Sequence, residues 1–231
     1  MGEVALAKVM YDVGHGGADP GGGSVGIKES DFNLETARLA AGMTRMVGVN
    51  VALTRTRDID LKPSARIMMI TAKSLTCVVS VHANAHADLK VRGHEIFVSA
   101  FDPRSAALGQ AISDQFMSLL SIPARSPAVK TRLTSDEDAD YYYVIQEAVR
   151  AGIPAVLIEP GFLTNTEDAL FLSNFWGQFQ VAYAVSRGVV AWLGLDADTA
   201  QLELARARLE LADAQNRLDQ IAVLAGKEVS P

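Results

Sequence analysis

Three short apolar runs in this sequence each end beside a side chain that can bind a metal ion or transfer a proton. Nearly continuous apolar runs of this length are typical of strands that are covered on both faces of a sheet. In open α/β sheets, ligands bind at the carboxyl ends of the strands. We therefore expect the side chains that follow these runs to meet at one edge of a sheet. The runs are residues 4–13, 75–81 and 155–158, and they are followed by His15, His82 and Glu159 respectively.

Stretches with apolar residues at helical spacing alternate with the apolar runs. Strands that alternate with helices predict an α/β fold with a mostly parallel sheet. Two further strands are predicted at residues 49–54 and 94–99, and residues 141–144 form a short apolar segment. The polar stretch 122–138 is predicted to be irregular and to lie on the surface. The predicted helices are residues 33–47, after an N-cap at Ser30 or Asp31, and residues 64–73, 105–120, 166–172 and 176–193.

His15 follows the first run and lies between glycines, in the sequence GHGG. Glycines at this place let a ligand atom come close to bare backbone. A glycine-rich loop then leads to Glu29, which opens the next helical pattern. Catalytic zinc sites take three protein ligands from His, Asp, Glu or Cys and leave one position for water. The candidate ligands are His15, Glu29 and His82; in isolation His15 would be interpreted as an ordinary loop histidine.

The chain has four histidines, and the other two are less suited to the site. His82 and His86 are four residues apart, which is the spacing of a metal-binding pair on one face of a helix. They follow a strand and precede a polar loop, however, so only His82 is expected to point at the site. His94 begins a predicted strand and is interpreted as a structural histidine.

Composition argues against several classes of function. The chain has 231 residues and a net charge of −6, whereas a nucleic-acid-binding protein usually carries a basic face. No window approaches the roughly 18 continuous apolar residues of a membrane span, so no membrane insertion is expected. The start of the chain lacks the basic residues of a signal peptide, and we expect synthesis in the cytoplasm without a leader. Cys77 is the only cysteine, which excludes an internal disulfide.

The last part of the chain differs in composition and predicts a separate helix. Apolar residues recur every seven positions across residues 197–225, with a second row three positions later, as in a coiled-coil seam. We predict a domain at residues 1–195 and an amphipathic helix or coiled-coil-like tail at residues 196–231. The pattern is consistent with two arrangements: the tail packs on its own domain, or it associates with the tail of another chain. The first row is Ala197, Leu204, Leu211, Leu218 and Ala225.

Several segments resemble, in the same order, the zinc-dependent N-acetylmuramoyl-L-alanine amidases of the amidase-3 type. They include YDVGHGGADPG with Glu29 downstream, LTRTRD, SVHANA, RGHEIFV and AVLIEPGFLTN. The resemblance covers residues 4–195, and the ordered set is specific, whereas GHGG alone would be a weak signal. It implies a twisted, mixed sheet flanked by helices. Pro160 departs from the family pattern, in which a small or apolar residue usually follows the glutamate.

The resemblance also implies the roles of the site residues. His15, Glu29 and His82 would bind one zinc ion, and Glu159 would be the catalytic acid and base. The substrate would be peptidoglycan, at the amide between N-acetylmuramic acid and L-alanine. Regulated members of the family carry an extra helix that covers the zinc site. The sequence between His82 and Glu159 has no long insertion for such a helix, so an open site is expected.

Four further residues are candidates for supporting roles. Asp12, or a backbone carbonyl, would orient a ligand imidazole. Asn84 would orient a ligand or a substrate carbonyl, and a turn-stabilising role is equally consistent with its position. Arg66 either contacts substrate or, as we favour, links a helix to the sheet. Tyr143 belongs to an aromatic run that would line a substrate groove or pack in the core.

The favoured function is that of a phage or prophage endolysin that reaches the cell wall or periplasmic peptidoglycan through a holin. A bacterial autolysin with the same chemistry is the near alternative. A general zinc peptidase would share the ligands, and a wall-binding module with a vestigial metal site would not need Glu159. The new ends that appear when purified sacculi are digested distinguish an amidase from a peptidase, because free L-alanine amines indicate an amidase and other peptide termini indicate a peptidase.

Overall fold

The structure, a computed structural model, describes residues 7–24, 26–196, 207, 214, 217 and 218. Its centre is a six-stranded sheet, and a two-stranded sheet lies within the glycine-rich loop. The large sheet consists of β1 (Lys8–Val13), β4 (Asn50–Leu53), β5 (Cys77–Val81), β6 (His94–Val98), β7 (Ala124–Lys130) and β8 (Ala155–Glu159). The small sheet pairs β2 (Gly23–Ser24) with β3 (Ile27–Lys28).

Six helices accompany the strands in the described part of the chain, and three of them begin at side-chain caps. Asp102, Asn165 and Asn174 each accept a hydrogen bond from a backbone N–H in the first turn of the helix that follows. Such caps satisfy N–H groups that have no partner within the helix. The helices are α1 (Glu29–Met46), α2 (Pro63–Thr71), α3 (Pro103–Leu119), α4 (Tyr143–Arg150), α5 (Thr166–Leu172) and α6 (Phe175–Trp192).

The strand order of the large sheet is β4-β1-β5-β8-β6-β7. All neighbouring pairs are parallel except β6 and β8, which are antiparallel. The predicted α/β fold, with a mostly parallel mixed sheet between helices, is therefore confirmed. Because β1, β5 and β8 are adjacent and parallel, their carboxyl ends lie side by side. The order of the sheet thus brings together the three chain positions that the sequence marked.

The two faces of the sheet are covered by different helices. On one face, alternate strand residues such as Tyr11 and Val79 pack in a core with side chains of α1, α3 and α6. On the other face, Met10 and Val78 pack with Ile70 of α2 and Ala148 of α4. Successive residues of a strand point to opposite faces. Asp12, Ser80 and Glu159 therefore point to the face covered by α2 and α4.

The structure corrects the sequence analysis at three places. The stretch predicted to be irregular contains β7, an edge strand whose exposure explains its polar sequence. The segment at 141–144 leads into α4, which the sequence analysis did not predict. The first helix begins at Glu29, with Lys28 at the N-cap and no side-chain cap, so Ser30 and Asp31 lie within the helix rather than before it.

The predicted C-terminal helix falls almost entirely outside the described residues. Ala207, Ala214, Arg217 and Leu218 are described and are helical; the extent of the helix and its packing stay predictions. Within the described part of the chain, no helix is both long enough and apolar enough to cross a membrane.

Candidate functional site

His15, Glu29 and His82 meet at the carboxyl edge of the sheet. One ligand atom from each residue lies within 4.8 Å of the other two. Glu29 Oε1 lies 3.2 Å from His15 Nε2 and 2.9 Å from His82 Nδ1, and the two imidazole rings are edge to face at 5.0 Å. Two imidazoles and a carboxylate that converge in this way form a candidate metal site.

The Glu29 carboxylate is fixed by the backbone around it. Its Oε2 accepts a hydrogen bond from Gly22 N at 2.7 Å, and its Oε1 accepts one from Ala83 N at 3.2 Å. Burial alone would raise the pKa of Glu29, but its bonds to His15 and His82 lower that pKa far below the ordinary value. Glu29 is therefore ionised, which is the form that binds a cation.

His15 is oriented by Asp19, a residue that the sequence analysis did not single out. Asp19 Oδ2 lies 2.8 Å from His15 Nδ1, so the opposite nitrogen, Nε2, faces Glu29. The bond to Glu29 raises the pKa of His15 to about 9, against the effect of burial and with further help from Asp19. In a metal-binding histidine, the ring nitrogen that does not face the metal usually donates a hydrogen bond, and a carboxylate is a common acceptor.

Two glycines leave the space that the three candidate ligands occupy. A Cβ on Gly14 would lie 2.4 Å from His82 Cε1. A Cβ on Gly21, where φ is +71°, would lie 2.5 Å from Glu29 Oε2 and 2.7 Å from His15 Cδ2. Any residue larger than glycine at position 14 or 21 would therefore occupy space that the side chains of His15, Glu29 and His82 need. This observation and the donor set, two histidines and a glutamate, fit zinc, which is bound by these ligand types at catalytic sites.

Glu159 ends β8 and lines the same cavity, of about 590 Å³, as the three candidate ligands. It is 8% exposed, and its Oε2 has no hydrogen-bond partner among the described residues. Burial, with the nearby charges of Glu29 and Glu95, raises the pKa of Glu159 well above its ordinary value. A carboxyl group with a raised pKa that opens onto a cavity is suited to proton transfer.

Asp12 and Arg66 contact each other below the site. Asp12 accepts hydrogen bonds from Arg66 Nη1 at 2.8 Å, Thr54 Oγ1 at 2.9 Å and Ser80 Oγ at 2.7 Å. Burial alone would raise the pKa of Asp12, but Arg66 and Ser80 lower it below the ordinary value. The carboxylate that contacts a ligand imidazole is thus that of Asp19, while Asp12 pairs with Arg66.

The other predicted residues lie in or near the cavity. Asn84 lines it, donates to Glu95 Oε2 at 3.1 Å, and accepts from the backbone of Ala85. Tyr143 also lines the cavity and is 48% exposed. His86 lies away from the three ligands and its Nδ1 accepts a hydrogen bond from Asp88 N, and buried His94 packs against Phe116.

Besides Asp19, two further residues near the site were missed by the sequence analysis. Glu95 lies on β6 opposite Glu159, and Arg55 donates hydrogen bonds to the loop that carries His15. Both lie within segments that resemble the family, RGHEIFV and LTRTRD, but only the strand register shows what they contact.

Comparisons with known proteins show which family the chain is similar to. The amidase-3 family model, described as N-acetylmuramoyl-L-alanine amidase, matches residues 9–191. The germination-specific N-acetylmuramoyl-L-alanine amidase of Bacillus subtilis is 27% identical over 202 residues, covering 80% of this chain and 79% of that protein. The endolysin of Bacillus phage SPP1 is 29% identical over 188 residues, covering 81% of this chain and 66% of the endolysin.

Solved structures show the same similarity. The CwlD amidase from Clostridioides difficile, determined in complex with the GerS lipoprotein, has a TM-score of 0.74 and 26% sequence identity. The match covers 82% of this chain and 100% of that chain. The family match spans most of the sequence and includes every candidate ligand and Glu159. The chain belongs to the amidase-3 family of N-acetylmuramoyl-L-alanine amidases.

Proposed function

We propose that the chain hydrolyses the amide between N-acetylmuramic acid and L-alanine with one zinc ion bound by His15, Glu29 and His82. The observation that carries this proposal is that these three residues and Glu159 open onto a single cavity. A bound zinc ion would polarise the amide carbonyl and lower the pKa of a water molecule in the site. The pair formed by buried Asp12 and partly buried Arg66 supports the end of the strand that leads to His15.

Glu159 is the residue that moves the proton. It accepts a proton from the attacking water and passes it to the nitrogen of the leaving amine. Water adds to the lactyl carbonyl carbon, the carbon–nitrogen bond breaks, and the products are a lactyl carboxylate and the free α-amine of L-alanine. The raised pKa of Glu159 suits both halves of this cycle, because the same group must be a base first and an acid afterwards.

Digestion of purified sacculi tests the reaction. After digestion, new amines are labelled and the labelled residues are identified. We expect labelled L-alanine, and amines of other stem-peptide residues would identify a peptidase instead. The Glu159→Gln variant is the matched control: it should bind sacculi and release nothing, and cleavage at the normal rate would exclude this mechanism.

We infer that the natural role of the chain is that of an endolysin that reaches the wall through a holin. The similarity to the endolysin of phage SPP1, over 81% of this chain, supports this role. The comparable similarity to the germination-specific amidase favours the alternative, a bacterial autolysin. Expression in a bacterial host with and without a holin separates the two. An endolysin should lyse the culture only with the holin, whereas lysis without it would favour the autolysin.

We also propose that residues 1–195 form the catalytic domain and residues 196–231 a helical tail that serves targeting or self-association. The heptad spacing of leucine and alanine supports a helix with one apolar face. A chain that ends at Leu195 should keep its activity on short soluble muropeptides and lose either wall affinity or oligomerisation. Wall binding and sedimentation equilibrium measure the two properties, and no change in either would show that the tail has neither role.

A further inference from the structure

His15 has a backbone conformation that a side chain other than that of glycine rarely adopts. Its φ is +57°, in the left-handed region, and it lies between Gly14 and Gly16. A non-glycine residue in this region is strained and persists only where its surroundings fix it. The orientation of the imidazole towards Glu29 depends on this conformation, so the contacts that maintain it matter for the site.

Arg66 reaches from α2 to the backbone on both sides of this turn. Its Nη2 donates a hydrogen bond to His15 O at 2.7 Å, and its Nη1 donates to Val13 O. The charge is neutralised by Asp12, whose Oδ1 lies 2.8 Å from Nη1. The rigid, planar guanidinium group thus fixes the spacing between two carbonyl oxygens that lie two residues apart in the sequence.

Arg55 approaches the same loop from the segment after β4. Its Nη2 donates to Gly14 O at 3.0 Å and to Ser30 O at 2.7 Å, and its Nε donates to Val13 O at 3.3 Å. Ser30 directly follows Glu29, so one nitrogen of Arg55 connects the backbones that carry two of the candidate ligands. Arg55 is 2% exposed, which excludes contact with a large substrate.

We propose that Arg55 and Arg66 are positioning residues that keep His15 in its left-handed conformation and so preorganise the metal site. The carbonyls of Val13, Gly14 and His15 accept hydrogen bonds from these two guanidinium groups. Neither guanidinium group contacts a candidate ligand side chain through these hydrogen bonds, so their proposed contribution to the site is the geometry of the loop backbone. This inference rests on the proposed metal binding by His15, Glu29 and His82.

The test measures zinc affinity of the full chain by competition with a chromophoric chelator. We expect Arg66→Gln and Arg55→Gln to bind zinc about 10- to 100-fold more weakly than the wild type, the usual effect of removing a partner outside the ligand set. Arg66→Lys keeps the pair with Asp12 but cannot bond both carbonyls, so its affinity should be intermediate. The absorption spectrum of the Co²⁺-substituted protein should change in the same order, because the geometry at the metal changes.

Arg45→Gln is the matched control. Arg45 also joins a helix to a backbone carbonyl, with Nη2 donating to Val51 O at 2.8 Å, but that bond links α1 to β4 and involves no residue of the His15 loop. Thermal unfolding of the metal-free proteins separates folding from positioning. If the Arg66 variants have the same zinc affinity and the same Co²⁺ spectrum as Arg45→Gln, the inference is overturned. A wild-type chain that binds no zinc would instead overturn the proposed function, and the inference with it.

Discussion

Glu95 lies directly opposite Glu159 on the antiparallel strands β6 and β8. Residues paired in this way project from the same face of the sheet, with close Cβ atoms. Glu95 Oε1 contacts Arg125 and lies 2.7 Å from Lys130 Nζ, whereas Glu159 Oε2 has no hydrogen-bond partner among the described residues. The charge of Glu95 is therefore compensated by two cations, whereas the carboxyl group of Glu159 has no such partner in the described part of the chain and is suited to exchanging protons.

Replacing Glu95 should change the pH dependence of the reaction. Burial raises the pKa of Glu159 most, and the charges of Glu29 and Glu95 raise it further. In Glu95→Gln the charge of Glu95 is removed and Lys130 and Arg125 lose their partner, and both effects lower the pKa of Glu159. As a base, Glu159 acts when ionised, so the acidic limb of the kcat/KM profile should move to lower pH.

Glu147→Gln is the control for this prediction, because Glu147 is also an ion-paired glutamate and lies on α4, where it contacts Arg150. Its profile should match that of the wild type. An acidic limb that stays in place in Glu95→Gln, or moves to higher pH, would contradict the assignment of Glu95.

Glu159→Gln should inactivate the enzyme without destabilising it. Loss of a general acid and base typically costs about 10²- to 10⁴-fold in rate. Because the pKa of Glu159 is raised in the native state, the native protein binds more protons than the unfolded chain. The free energy of unfolding therefore falls as pH rises from the ordinary glutamate pKa to the raised one. Urea denaturation across this range should show the fall in the wild type and a smaller fall in the variant.

Metal removal should abolish activity and expose the titration of His15. In the metal-free protein, Glu29 raises the pKa of His15 to about 9, above its ordinary value of 6.5. The stabilising contribution of this imidazolium is fully present below about pH 6.5 and is lost as pH rises through about 9. Chelator-treated protein should thus lose stability over this interval.

Zinc binding should release protons, since the imidazole must be neutral to bind the ion. Calorimetric titration near pH 7 in buffers of different ionisation enthalpy measures this release, which we expect to be about one proton from His15. A binding enthalpy that does not depend on the buffer would contradict the prediction.

Gly14→Ala should weaken metal binding through His82. The new Cβ would lie 2.4 to 2.7 Å from three atoms of the His82 ring, so the ring must leave the position in which its Nδ1 faces Glu29. Gly42→Ala is the matched control, because Gly42 lies on the exposed side of α1 and a Cβ there meets nothing within 4 Å. That control should bind zinc normally and gain about 0.5–1 kcal/mol in the free energy of unfolding. Equal zinc affinities for the two variants would show that the Gly14 contact is unimportant.

The sequence predicted the parts of the fold that are encoded by local patterns. Buried central strands such as β5 and β8 are short apolar runs, and the parallel arrangement brings to the site the polar residue that follows β5 and the one that ends β8. β7 was missed because an edge strand is partly exposed and carries polar residues. The roles of Arg55 and Glu95 could not be predicted because they depend on strand register and on which backbone carbonyls lie within reach.

The position of β8 in the sheet determines when the site is completed. β8 lies between β5 and β6, although both precede it in the chain. The three candidate metal ligands lie between residues 15 and 82, whereas the carboxylate proposed to transfer the proton is that of Glu159. The pairing of β1 with β5 is therefore enough to bring the candidate ligands together, whereas the proposed proton-transfer residue joins them only once β8 is inserted between β5 and β6.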